Sequence, residues 1–152
     1  MLVAAALFLF MAVPASAQLW NSAGSTGIVD ESALGLFEFA GPTLKFKTGQ
    51  VGTITARYPI HSDVTNPGWG SMWIAYAGPG VTVKLIEVGD CAPTETVVTT
   101  FNNPNAPDAN ICEGHIYGPF TWNFAQRSYY IEVTLTRATT ATNPRFNRID
   151  IP

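Results

Sequence analysis

Across most of this chain apolar residues recur at every second position, and the runs are cut at short intervals by Gly and Pro turns. Leu44 and Phe46 alternate with Lys45 and Lys47; Ile54, Ala56 and Tyr58 with Thr53, Thr55 and Arg57; Val81, Val83 and Leu85 with Thr82 and Lys84. The longest run sets Tyr129, Ile131, Val133 and Leu135 against Tyr130, Glu132, Thr134 and Thr136. A two-residue period places successive side chains on opposite faces of a strand, so each run describes a strand with one buried face. Further runs cover Leu36 to Ala40, Met72 to Ala77, Thr96 to Phe101, Ile116 to Phe124 and Phe146 to Ile151. Gly41-Pro42, Thr48-Gly49, Asn66-Pro67-Gly68, Gly78-Pro79-Gly80, Gly89-Asp90 and Asn143-Pro144 supply the turns between them. About nine short strands without intervening helices specify an all-β fold. The expectation is a two-sheet antiparallel β-sandwich of jelly-roll or immunoglobulin-like type.

The first residues follow a different rule. Leu2 to Val13 is apolar and uncharged, and Ala15-Ser16-Ala17 after Pro14 is a small-residue cleavage site. A membrane span needs about 20 apolar residues, and Gln18, Asn21 and Ser22 end this run too early. The reading is a signal peptide over 1–17 and a single domain over 18–152, exported to the extracellular space, the periplasm or the cell surface, although no Lys or Arg opens the leader. Cys91 and Cys112 are the only cysteines, and in an exported chain the economical expectation is one disulfide, adding about 3 kcal/mol of stability in the chain-entropy model.

Charged residues make up only 12% of the chain, for a net charge of -3, and the eight Lys and Arg are scattered. Nucleic-acid binding needs a clustered basic face and is excluded on that ground. The sequence shows no nucleophile elbow. His61-Ser62-Asp63 holds triad residue types, but adjacent residues on extended chain point in opposite directions and cannot relay a proton among themselves. Glu38, Glu87 and Glu132 sit within strands, with Glu132 on the solvent side of its own. A non-catalytic protein without cofactor follows. A metal is not expected either: the cysteines lack zinc spacing, and the loop Asn102, Asn103, Asn105, Asp108 and Asn110 offers Ca²⁺ many oxygens but a single carboxylate.

The segments VTVKLIEVGDC, FTWNFAQRSYYIEVTLTRA and NPRFNRIDI resemble a group of small, uncharacterised secreted bacterial β-sandwich proteins. The resemblance covers roughly the last half of the chain and implies a bacterial exported sandwich. It carries no catalytic or ligand motif.

The strongest candidate for function is aromatic. Trp69 and Trp73 flank Gly70-Ser71, with Tyr76 beyond, and such rings stack on sugars or on a protein partner. Core packing competes with that role. Trp69 follows Asn66-Pro67-Gly68 in a loop, where burial is hard to arrange, and Trp73 has opposite parity to Met72, Ile74 and Tyr76. Trp122, in step with Phe120 and Phe124, belongs to the core. The expectation is an extracellular module that binds a glycan or a cell-surface protein through an aromatic loop. The alternative is a coat or filament subunit that self-associates through β-edges, with Thr94 to Phe101 and Arg145 to Pro152 as candidate edges.

Overall fold

The computed structural model describes residues 19–89 and 94–152, so the leader over 1–17 and Cys91 lie outside the described residues. Two antiparallel sheets face each other across one core. In chain order the strands are β1 (Trp20–Ala23), β2 (Ile28–Val29), β3 (Phe37–Ala40), β4 (Thr43–Phe46), β5 (Gly52–Ile60) and β6 (Ser71–Ala77). They continue with β7 (Val81–Gly89), β8 (Glu95–Asn102), β9 (Cys112–Tyr117), β10 (Arg127–Arg137) and β11 (Arg145–Ile151). The first sheet runs β3-β4-β11-β6-β9, with β1 taking the second half of β11; the other runs β2-β5-β10-β7-β8. The expected sandwich is therefore present, and the strand order is what periodicity alone does not specify.

β10 is the centre of the second sheet and pairs in unbroken register with β5 and β7. Its inward set, Tyr129, Ile131, Val133 and Leu135, lies beside Ile60, Tyr58, Ala56 and Ile54 on one side and Leu85, Val83 and Val81 on the other. Leu44, Phe46, Met72, Ile74, Tyr76, Phe146, Ile149 and Ile151 close the core from the first sheet. On the solvent face of β10, Glu132 stands between Arg57 and Lys84 and pairs with both, at 3.4 and 3.2 Å. Glu87 sits on the opposite face, beside Tyr129 and Arg127. The two glutamates thus cannot work as a pair.

Eleven strands are found among the described residues rather than about nine. β1 and β2 are too short to alternate and flank a 3₁₀ turn at Gly24–Thr26. The run expected over Ile116 to Phe124 is a strand only to Tyr117; from there Gly118-Pro119 breaks the ladder, and Phe120, Trp122 and Phe124 pack from irregular chain. Trp122 is nonetheless buried, its indole donating to Trp69 O at 2.8 Å. Gly41 leads the two-residue turn between β3 and β4 at φ 60°, the left-handed backbone that such hairpins need.

Three expectations are not met. Arg145–Ile151 is no edge, since β4, β1 and β6 cover both of its sides; Thr96 to Phe101 does lie on the terminal strand of its sheet. The Cys91–Cys112 disulfide is not found: Cys112 is a free, half-buried thiol at the start of β9.

The third failure concerns Trp69. The 66–70 loop turns in over one end of the sandwich, so the ring is 1% exposed, edge-on to Trp122 at 5.3 Å and to Phe124 at 5.9 Å. Gly118 N–H donates to Gly70 O and Phe124 N–H to Thr65 O, which fixes the two irregular segments to each other. A loop thereby buries its tryptophan without belonging to any strand.

Candidate functional site

The outer face of the first sheet carries the exposed aromatic residues. β6 alternates, with Met72, Ile74 and Tyr76 inward and Ser71, Trp73 and Ala75 outward. β9, paired with β6, sends His115 out beside Trp73 and Tyr117 out beside Ser71. Trp73 is 45% exposed and Tyr117 74%. The rings of Trp73 and His115 are 4.9 Å apart at 39°, and those of His115 and Tyr117 6.0 Å apart at 31°, a staircase of three. The Tyr117 hydroxyl lies 3.4 Å from His115 Nδ1, and Glu113 Oε2 lies 4.0 Å from His115 Nε2.

Across β6 the same row continues to Asp150 and then Asn21. Asp150 Oδ2 accepts from Arg148 Nε at 2.7 Å, fixing a charged pair beside the indole. The next row is Ala23, Arg148, Ala75 and Glu113, where two alanines leave a depression between large neighbours. A cleft of about 380 Å³ opens there, lined by Ala75, Glu113, Arg148, Pro42, Ile111 and Asn147. It adjoins a hollow beside Trp73 and, at Ile111 and Asn147, a larger cleft of about 660 Å³ that reaches Lys45, Asn110 and Arg145. A groove thus crosses the face from the aromatic staircase to β4.

A β-bulge shapes its middle. Phe146 opposes Tyr76 and Arg148 opposes Ala75, so Asn147 is the extra residue. Phe146 and Ile149 both point into the core, which leaves Asn147 and Arg148 together on the outer side. Bulges commonly re-aim a side chain in this way. The Asn147 Oδ1 is buried and has no hydrogen-bond partner among the described residues.

The structure divides the expected trio. Trp73 belongs to the surface, whereas Trp69 and Tyr76 belong to the core. Tyr76 is 1% exposed; its hydroxyl accepts from Asn103 Nδ2 at 2.8 Å, and its ring meets Phe101 edge-on. In the loop over 102–110, the side chains of Asn103 and Asp108 hold this end of the sandwich together. Asn103 Oδ1 accepts from Asn105 N–H, Asp108 Oδ1 accepts from Asn143 N–H, and Pro107 O accepts from Gly78 N–H. His115 and Tyr117 lie outside the aromatic trio expected from the sequence, although Ile116, Phe120 and Trp122 share one parity and the two rings have the other. No group of three or more His, Cys, Asp or Glu near enough to hold a metal occurs among the described residues, and no helix there is long and apolar enough to cross a membrane.

No family model matches the chain, and no curated protein matches it. Solved structures do. The CBM36-1 domain of a multidomain xylanase from the hindgut metagenome of Trinervitermes trinervoides aligns with 89% of this chain and 97% of its own length, at 12% identity and a TM-score of 0.53. A low-affinity xylan binding module, CBM86, from the gut symbiont Roseburia intestinalis aligns with 89% of this chain and 95% of its own, at 12% identity and a TM-score of 0.51. At that identity the likeness establishes a shared β-sandwich fold.

Proposed function

We propose that this chain is a non-catalytic carbohydrate-binding module that takes an extended polysaccharide on the outer face of its first sheet. The observation that carries the reading is the staircase of Trp73, His115 and Tyr117 opening onto a groove. Aromatic faces stack on the apolar face of a pyranose ring, while the flanking Asp150, Arg148 and Glu113 offer the hydrogen bonds that orient hydroxyls. The two solved neighbours described as a xylanase domain and a xylan binding module support it, since they share the fold over nearly the whole chain. The recognition surface is a strand face; the aromatic loop expected from the sequence is interior.

The same reading includes export. The apolar run Leu2 to Val13 and the Ala15-Ser16-Ala17 site support a leader removed after Ala17, and the resemblance to secreted bacterial proteins agrees.

Affinity electrophoresis through gels containing xylan, β-glucan or galactan tests the proposal. Retardation by at least one polymer, lost in Trp73→Ala with an unchanged fold, is expected. Equal mobility of wild type and Trp73→Ala in every gel would overturn it.

One observation favours a second reading. β8 is a sheet edge whose Thr96 to Asn102 segment carries no charge, with Val97 and Val98 exposed. Uncharged edges invite pairing with another chain, as a coat or filament subunit requires. Size-exclusion chromatography with electron microscopy separates the readings, because a binding module elutes as a small species and a coat subunit polymerises.

A further inference from the structure

The groove ends in a row of charge. Glu38 on β3, Lys45 on β4 and Arg145 on β11 are neighbours in register, and Ala77 on β6 completes the row. Lys45 Nζ pairs with Glu38 Oε1 at 2.9 Å. Arg145 Nη2 donates to Asp108 O at 2.7 Å and to Ala109 O at 3.4 Å, and no ion pair to a carboxylate is found for it among the described residues. Two cations therefore stand side by side, with the one anion, Glu38, on the far side of Lys45. Like charges directly opposite on a sheet destabilise it, and these two lie in the wall of the 660 Å³ cleft.

Asn147 lines that same cleft, and its buried Oδ1 lacks a donor among the described residues. A buried acceptor without a partner carries a free-energy cost, which the Asn147 amide would shed by turning toward the cleft to meet a ligand hydroxyl. The cleft thus asks for two things at once: an anion that can accept from the Arg145 nitrogens not donating to Asp108 O and Ala109 O while resting against the Lys45 ammonium, and a hydroxyl donor beside it. A sugar carboxylate meets both, because its carboxyl group and ring hydroxyls are a few ångströms apart. Trp73 and Ala77 are four positions apart on β6, about 13 Å along the strand, so an extended glycan stacked on Trp73 reaches the Arg145 row within a few sugar rings.

From this geometry we infer that the groove selects an acidic polysaccharide, with a uronate seated against Arg145 and Lys45 and a neighbouring hydroxyl on Asn147. The inference rests on the carbohydrate-binding reading above and adds the class of sugar.

The test uses matched polymers: glucuronoxylan and polygalacturonate, each compared with its own carboxyl-reduced, neutral form. Wild-type protein is expected to bind at least one acidic polymer about tenfold more tightly than its reduced counterpart, as a charge-assisted contact would give. That ratio should fall towards one in Arg145→Gln and shrink in Lys45→Met, with thermal melts confirming that each variant is folded. Added salt should narrow the wild-type ratio as well. Equal affinity for both members of each pair would overturn the inference while leaving Trp73-dependent binding in place. Binding to no polymer at all would remove both.

Discussion

Trp69 and Trp73 are four residues apart and have opposite fates, which makes them a sharp internal comparison. Trp69→Ala removes a ring packed against Trp122 and Phe124 and should cost about 3 to 5 kcal/mol. Trp73→Ala, on the solvent side, should cost under about 1 kcal/mol. Denaturant unfolding of both variants checks the contrast, and a large loss for Trp73 would place its ring in a structural role. A second residue-scale consequence concerns alkali. Burial raises the Tyr58 hydroxyl above the usual tyrosine range, and Tyr130 is pushed up to about 12 by burial and its hydrogen bond to Glu95. Raised folded values mean that the native state holds these protons longer than the unfolded chain does. Their contribution to stability is complete below about pH 10 and is lost as the pH rises beyond it. Tyr58→Phe should lose about 1 kcal/mol near neutrality through the missing bond to Gly24 O, and should flatten that alkaline decline. An unaltered slope would refute the assignment.

At the scale of elements, what was legible in the sequence depended on alternation. β5, β7 and β10 are long and regular, and their inward sets follow directly from the period. β1 and β2 span four and two residues and cannot show a period at all. The aromatic run after Tyr117 does alternate, but Gly118-Pro119 removes it from the ladder, so its rings reach the core by a route that parity does not describe. The candidate site was half legible for the same reason. Trp73 follows from the period of β6, whereas placing His115 and Tyr117 beside it requires knowing that β9 pairs with β6. The bulge at Asn147 is a register event between distant segments and leaves no local sign. The disulfide expectation is not met, because Cys112 is a free thiol and counting cysteines does not show whether two of them meet. Reducing agent is accordingly expected to leave the melting temperature unchanged, and the Cys112 thiol should react with a thiol reagent in unreduced, denatured protein. A fall in melting temperature on reduction would restore the bridge.

For the whole molecule, β1 and β11, the first and last strands among the described residues, lie side by side: Trp20 faces Ile151 and Ala23 faces Arg148 in one antiparallel pair. A tether pulling on Trp20 and Ile151 therefore loads that pair from one end. Hydrogen bonds in such a pair run across the strands, so the pull opens them one after another, like a zipper, instead of shearing them together. Force spectroscopy should register β1 peeling away at low force while β10, paired on both sides, holds; a single high-force rupture of the entire sandwich would contradict this. Under drag the module yields first at the Asn21 and Asp150 end of the Trp73 row, so mechanical load on the chain is felt at the very surface where a glycan would sit.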